Sequence, residues 1–495
     1  MSYLEVLKLA MPETILTVTA FAVLFVDLTV MRGVDRPYRR RMGAALAGLG
    51  CLVSVIWLIQ VPAAGVIGNG LLVVDPLTRL LQVALVALTA LTALISLDAD
   101  FTDHVGEYFA LLLLGTIGML FLVGTENLLM LFVALELTSV SLYILTAFNK
   151  RNPRSAEAAL KYFLFGSLAA AFTLYGLSLL YGLTGSIGLR GIAAKLGGPG
   201  LDPLLAAALV MTLIGFGFKV AAVPFHLWAP DAYQGAPTPS AAFIASGSKV
   251  ASFFILAKVL MIGFAGVEGS ASWRGGAPGW VPMLAVIAVA SMVLGNLAAI
   301  VQPSVKRLLA YSAIAHAGYA LLGVAANSLP GLGALIYYVI TYALSALGAF
   351  AVVSLVEDRA GDARLEDFAG FSRRAPLMSL CLLVFLLSLA GIPPLAGFFG
   401  KFYAFAAAAA GGPNGPGLVW LVGVAIAMSA VSLYYYLQVL KQVYVGSVAE
   451  GAPPVRPGVG VQLGVVLLAL GVIGLGCFPN WLVGLLTAAL AASGF

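Results

Sequence analysis

Apolar stretches of about 20 residues, each long enough to cross a bilayer as a helix, follow one another almost without pause through this chain of 495 residues. In hydrocarbon a backbone finds no water, so such stretches satisfy their own N–H and C=O groups as helices. Charged residues make up 9% and hydrophobic ones 61%, against about 25% charged in a soluble globular domain. The fold class read from this is an all-α polytopic membrane protein, with no residues left over for a soluble domain.

The apolar runs give about fourteen spans, near 11–31, 42–60, 74–97, 106–123, 127–148, 157–181, 201–229, 238–264, 280–301, 304–326, 331–356, 375–410, 417–440 and 460–490. The first is read as a retained helix, because Met1 to Glu5 lack the basic start of a cleaved signal. Spans seven and twelve are too long for one straight helix. The expectation is a cut at Pro224 in one and at Pro393-Pro394 in the other, since proline removes a helix hydrogen bond and clashes with the preceding turn.

Loop charges are strongly one-sided on this map. Arg32, Arg36, Arg39, Arg40, Arg41, Lys150, Arg151, Arg154, Lys306, Arg307, Arg359, Arg364, Arg373, Arg374, Lys441 and Arg456 fall on one side. The other side holds Lys8, Arg190, Lys195 and Arg274. The basic side is therefore expected to be cytoplasmic, with both termini on the outer, periplasmic side of a bacterial inner membrane. The acidic loop from Asp98 to Glu107 counts little in this rule.

The interrupted spans lie five positions apart in span order. Two inverted five-helix units with broken helices in matching places would give that spacing, a pattern of transporters that points to their sites. The expected division is 1–105 for N-terminal flanking helices, 106–264 and 280–444 for the two units, and 445–495 for a C-terminal flanking helix.

The most telling segment runs from Gly217 to Asp231, where Lys219 stands in an apolar helix five residues before Pro224. An ammonium at mid-membrane costs roughly 2.5–3.5 kcal/mol on insertion scales. Glu136, Lys161, Lys249, Lys258 and Lys401 also fall within spans. Each could be a structural partner for an opposite charge; for Glu136, Lys219, Lys249 and Lys401 the cost favours a place in a proton pathway. Lys161 follows Glu157 by four residues, an ordinary stabilising pair. Lys258 is expected to snorkel outward. Arg79, four residues after Asp75, reads as a helix-end anchor, and Glu107 and Glu126 lie near span starts. His226 follows the Pro224 break and His316 lies mid-span, each readable as a hydrogen-bonded packing residue.

These groups suit proton handling. Burial disfavours a charged lysine and a nearby carboxylate restores it, so a moving carboxylate switches proton occupancy in a coupled pair. Glu136 with Lys219 is the natural couple, with Lys249 and Lys401 continuing sideways through water. Cys51, Cys381 and Cys477 match no disulfide, zinc or iron–sulfur spacing, no metal is expected, and no Walker-type phosphate loop is present.

Four segments carry a family resemblance: EAALKYF at 157–163, FKVAAVPFHLWAPDAYQGAPTP at 218–239, KRLLAYSAIAHAGY at 306–319 and LAGIPPLAGFFGKFY at 389–403. They resemble the antiporter-like subunit N family of proton-pumping NADH:quinone oxidoreductase, respiratory complex I, and the likeness extends over essentially the whole chain. Asp231-Ala232-Tyr233 after Trp228, Lys401 in span twelve and the end of the chain near its fourteenth span favour subunit N over its sisters L and M. The resemblance implies that Glu136, Lys219, Lys249 and Lys401 form the proton axis, with Lys161 toward its uptake side. Glu157, Glu107, His226 and His316 are auxiliary candidates. It implies no cofactor in this chain, with NADH, FMN, iron–sulfur clusters and quinone held by partner subunits of both arms. A stand-alone cation/proton antiporter is the alternative function.

Overall fold

The computed structural model describes residues 3–61, 64–196, 201–273, 275–361, 363–410, 417–448 and 455–493. Arg274 lies outside them, as does the side chain of Arg359. Helices dominate: α1 (Met11–Thr29), α2 (Arg36–Gln60), α3 (Pro76–Ile95), α4 (Val105–Val123), α5 (Leu128–Thr146), α6 (Pro153–Thr184), α7 (Pro203–Val220), α8 (Trp228–Gly235), α9 (Thr238–Ala245) and α10 (Gly247–Lys258). Then come α11 (Trp280–Ile300), α12 (Val305–Ala325), α13 (Leu329–Ala360), α14 (Pro376–Ala390), α15 (Ala396–Ala409), α16 (Val419–Val445), α17 (Val459–Cys477) and α18 (Pro479–Ala492).

Among the described residues, 13 helical runs are long and apolar enough to cross a membrane. The interrupted pair α14–α15 adds another crossing. The run from Thr238 to Gly263, α12 and α13 are almost wholly enclosed by protein, whereas α1, α6 and α16 bury only a third of their apolar window. The ionisable residues at issue sit on or beside the enclosed runs.

Two stretches of the chain share several local features. Helices α6 and α13 both have 32 residues and both end on a left-handed glycine, Gly185 (φ 61°) and Gly361 (φ 86°). An isolated antiparallel bridge joins Asn127 to Gly188, and another joins Ser304 to Arg364. Helix α7 stops where Ala221 turns left-handed (φ 55°), and α14 stops where Gly391 does (φ 89°). The Ala222 amide then bonds back to the Gly217 carbonyl at 2.8 Å, and the Ile392 amide to that of Leu387 at 3.0 Å. This is the helix-ending bond that a left-handed residue makes possible. The breaks therefore start ahead of the prolines at which the sequence places them, three residues before Pro224 and two before Pro393. Both prolines are cis, after Val223 and after Pro393.

With lipid as solvent, helices associate through small residues that let backbones approach. Helices α6 and α7 show this reciprocally. A Cβ at Gly215 would fall 1.6 Å from Thr173 Oγ1, and one at Gly176 would fall 2.7 Å from Thr212 Oγ1. Gly215→Val should force α7 away from α6 and cost about 1–3 kcal/mol. The purified protein should melt at a lower temperature. Unchanged melting would contradict this packing.

Three expectations change. The last apolar run is two helices, because Pro479 interrupts it between α17 and α18. Ahead of α3 lies a short hairpin, β1 (Gly65–Ile67) antiparallel to β2 (Leu72–Val74), turning through Gly68-Asn69-Gly70. Lys258 does not snorkel: it is fully buried, and its Nζ lies 3.7 Å from Glu126 Oε1. The π-helical turn from Val259 to Gly263 follows it directly.

The acidic loop has a structural task. Asp103 pairs with Arg151 at 2.8 Å and Arg36 at 2.6 Å. Hydrogen bonds from Arg151 first, with the charges of Arg151 and Arg36 adding to them, outweigh its desolvation and hold its carboxyl below the usual carboxylate range. Asp27 accepts from Arg39 at 2.6 Å. Arg79 donates to the Leu58 carbonyl and ties α3 to α2.

Candidate proton-transfer row

Helix α5 is capped by Asn127, whose side chain accepts from the Leu129 amide at 3.0 Å. Two and a half turns later it presents Glu136 and, at the next turn, Ser139. Lys219, on the last turn of α7, donates to Ser139 Oγ. It does not grip the carboxylate itself; Glu136 acts on it as a neighbouring charge. The break just beyond Lys219 exposes backbone. Helix ends leave carbonyls without helical partners, and the Val220 carbonyl accepts from Nζ of Lys249. Lys249 is 1% exposed, yet its ammonium rests on the residue adjoining Lys219.

The second break repeats this device. Nζ of Lys401 lies 3.0 Å from the Ala390 carbonyl, the last of α14, and 2.8 Å from Ser429 Oγ. It also stands 4.9 Å from the centre of the Tyr319 ring, a cation–π distance. Between the two lysines lies His316. Its Nδ1 is 2.7 Å from the Tyr338 hydroxyl and its Nε2 is 3.2 Å from that of Tyr436. The charges of Lys401 and Lys249 both reach the ring. Asn296 bonds the Tyr319 and Tyr435 hydroxyls, each at 3.0 Å. The order is thus Glu136 and Lys219, Lys249, His316, Lys401, with hydroxyls bonded to Lys219, His316 and Lys401.

A second cluster gathers at one end of α6, α8, α12 and α13. Lys161 pairs with Glu157 at 2.7 Å, as its spacing implies, and also with Asp231 at 2.9 Å. Arg307 reaches the other oxygen of Asp231 at 2.6 Å. Lys161, Glu157 and Asp231 line a cavity of about 280 Å³ together with Arg154 and Gln234. Lys306 binds Glu357 at 2.8 Å and the Ala236 carbonyl at 3.0 Å, and Thr238 bonds the same carboxylate. Lys161 is 42% exposed, so it stands at a mouth of the bundle and away from the central row.

His226 is buried at the first break with Nδ1 unbonded among the described residues. Beside it Trp228 donates to the Phe218 carbonyl at 3.0 Å and stacks on Tyr162 with ring centres 4.1 Å apart. Glu107 sits on the first turn of α4 at 3.2 Å from His104, apart from the row. Reading the sequence misses Ser139 and Ser429, which accept from Lys219 and Lys401, Tyr338 and Tyr436, which hold His316, and Asn296. Asp231 enters it only as part of a discriminating motif, and Lys306 and Arg307 as loop charges. Among the described residues no three His, Cys, Asp or Glu side chains gather as a metal site.

The profile of the family described as NADH:quinone oxidoreductase/Mrp antiporter, transmembrane, matches residues 125–429. NADH-quinone oxidoreductase subunit N 2 of Acidobacterium capsulatum is 52% identical over 490 residues, covering 97% of this chain and 98% of the relative. Subunit N of Moorella thermoacetica is 40% identical, covering 90% and 91%. Among solved structures, a chain of respiratory complex I from Thermus thermophilus superposes with TM-score 0.77 at 36% identity, covering 96% of this chain and 98% of that one. A chain of the Mrp complex from Dietzia superposes with TM-score 0.82 at 22% identity, covering 98% and 97%, which is a likeness of fold.

Proposed function

Because the chain belongs to the NADH:quinone oxidoreductase/Mrp antiporter transmembrane family and lies among its subunit N members, we propose that it is a proton-translocating membrane-arm subunit of a redox-driven NADH:quinone oxidoreductase. The observation that carries this reading is the row itself: two lysines parked on the open carbonyls of interrupted helices, with His316 within reach of both their charges. Buried ionisable groups at membrane depth are costly, and proton relays are among the tasks they serve.

The proposed path starts at the mouth formed by Lys161, Glu157 and Asp231. It runs to the Glu136–Lys219 couple, then through Lys249 and His316 to Lys401. Residues 106–264 and 280–444 form two inverted units, each contributing one break. The basic side faces the cytoplasm and both termini face outward. The chain carries no redox centre of its own. NADH, FMN, iron–sulfur clusters and quinone belong to partner subunits, and the class of activity is that of a translocase subunit. The relatives' names favour this reading over a stand-alone cation/proton antiporter, since the antiporter likeness is one of fold.

The test uses the purified complex in vesicles with quinone reduction and acidification recorded together. Lys401→Met should retain assembly and lower proton translocation by roughly 100-fold, the scale of a lost positioned proton donor. Normal acidification by that variant would remove Lys401 from the path.

A further inference from the structure

A cavity of about 690 Å³ opens where the chain enters the basic face, between the start of α2, the turn after α3 and the start of α17. Its charged lining is Arg40, Arg41, Arg456 and Asp98. Asp98 is engaged, accepting from the Gly458 amide at 2.5 Å. The neighbouring arginines of α2 are matched: Arg36 with Asp103, and Arg39 with Asp27. Arg40 is 13% exposed; its Nη1 lies 3.2 Å from an oxygen of the exposed Asp100, an ion pair without hydrogen-bond geometry, and its buried Nε has no hydrogen-bond acceptor among the described residues. Arg41 and Arg456 are exposed and make no ion pair among the described residues. The cavity thus holds more positive charge than its own carboxylate offsets.

The rest of the lining is apolar, with Leu97, Leu355 and Val459. From Val459, 82% exposed, an uncovered strip continues along α17 through Leu463, Leu467 and Leu470. Steps of four, four and three residues keep it on one helix face. A cationic pocket at the surface with an apolar track leading toward the bilayer core matches a molecule with an anionic head and hydrocarbon tails. Basic pockets between spanning helices bind acidic headgroups in this manner. We propose that this cavity is a binding site for one anionic glycerophospholipid, its phosphate held by Arg40, Arg41 and Arg456 and an acyl chain laid along α17. The proposal needs only that the chain spans a bilayer, and it stands whether or not the lysine row carries protons.

The whole complex in nanodiscs is labelled with photoreactive phosphatidylglycerol or photoreactive phosphatidylcholine, and the attachment sites are mapped by peptide mass spectrometry. The anionic probe should label the segment 455–470 and the zwitterionic one should not. Arg41→Gln with Arg456→Gln should lower that labelling by about 30-fold, the combined weight of two interfacial arginines. Proton translocation is recorded separately, so loss of pumping has no bearing on lipid binding. If the double variant fails to assemble, the contrast between the two probes on the unmodified complex decides alone. Equal labelling by both probes overturns the proposal. So does labelling abolished by millimolar inorganic phosphate, which would make this a free-anion site, or attachment of the segment to a neighbouring subunit instead of lipid.

Discussion

Lys219→Ala should leave the complex assembled and lower proton translocation by roughly 100-fold or more. The two halves of this result have separate causes. Assembly survives because truncation removes a charge from an apolar setting, Ser139 still donates its own proton to the Leu135 carbonyl, and Glu136, which makes no direct ion pair with Lys219, is only half-buried. Translocation should fail because, on the proposed path, Lys219 is the group that passes the proton from Glu136 toward Lys249. Lys219→Arg sharpens the test. Arginine keeps the positive charge and does not give up its proton at any relevant pH, so it should also fail to pump. An arginine variant that pumps normally would show that charge alone, and not proton exchange, is required at this position.

The second large effect concerns Glu126. This carboxylate is 8% exposed and lies between Arg190, at 2.9 Å, and the fully buried Lys258, at 3.7 Å. Removing one member of a buried pair leaves the other as an unmatched ion and typically costs about 3–5 kcal/mol. Glu126→Ala should therefore deplete the assembled complex severely, as read by native gel and thermal melting. Glu126→Ala combined with Lys258→Met should restore much of it, because methionine fills a similar volume and needs no counter-charge. Arg190, at the surface, can rehydrate in either variant. A double variant no more stable than the single one would contradict this account of the pair.

The span pattern and the row of charges were legible for one reason: an ion in an apolar run is expensive, and a proline in such a run opens a helix. That logic finds Lys219, Lys249 and Lys401 and the neighbourhood of both breaks, whereas His316, read as a packing residue, comes beside the two lysines only in the fold. It fails for Ser139, Ser429, Tyr338, Tyr436 and Asn296, because hydroxyls and amides are ordinary in membrane helices and acquire meaning only from what they face. It also misplaces Lys258. Proximity to a helix end suggests escape to water, but Glu126, 132 residues earlier, folds back beside it. Asp231 shows the same limit. Its carboxylate couples Lys161 on α6 to Arg307 on α12, and no local pattern announces a bond between segments so far apart. The hairpin before α3 is the opposite case, since the Gly68-Asn69-Gly70 turn is a short-range signal overshadowed by the apolar run that follows.

The resting places of Lys249 and Lys401 have a mechanical corollary. A backbone oxygen at the end of an interrupted helix draws a cation more strongly than a neutral amine, since hydrogen bonds from ionised donors are roughly twice as strong. Each tether therefore loosens when its lysine gives up a proton and tightens when it gains one. Occupancy and position become a single variable at both sites, and the histidine between them feels the two swinging arms at once.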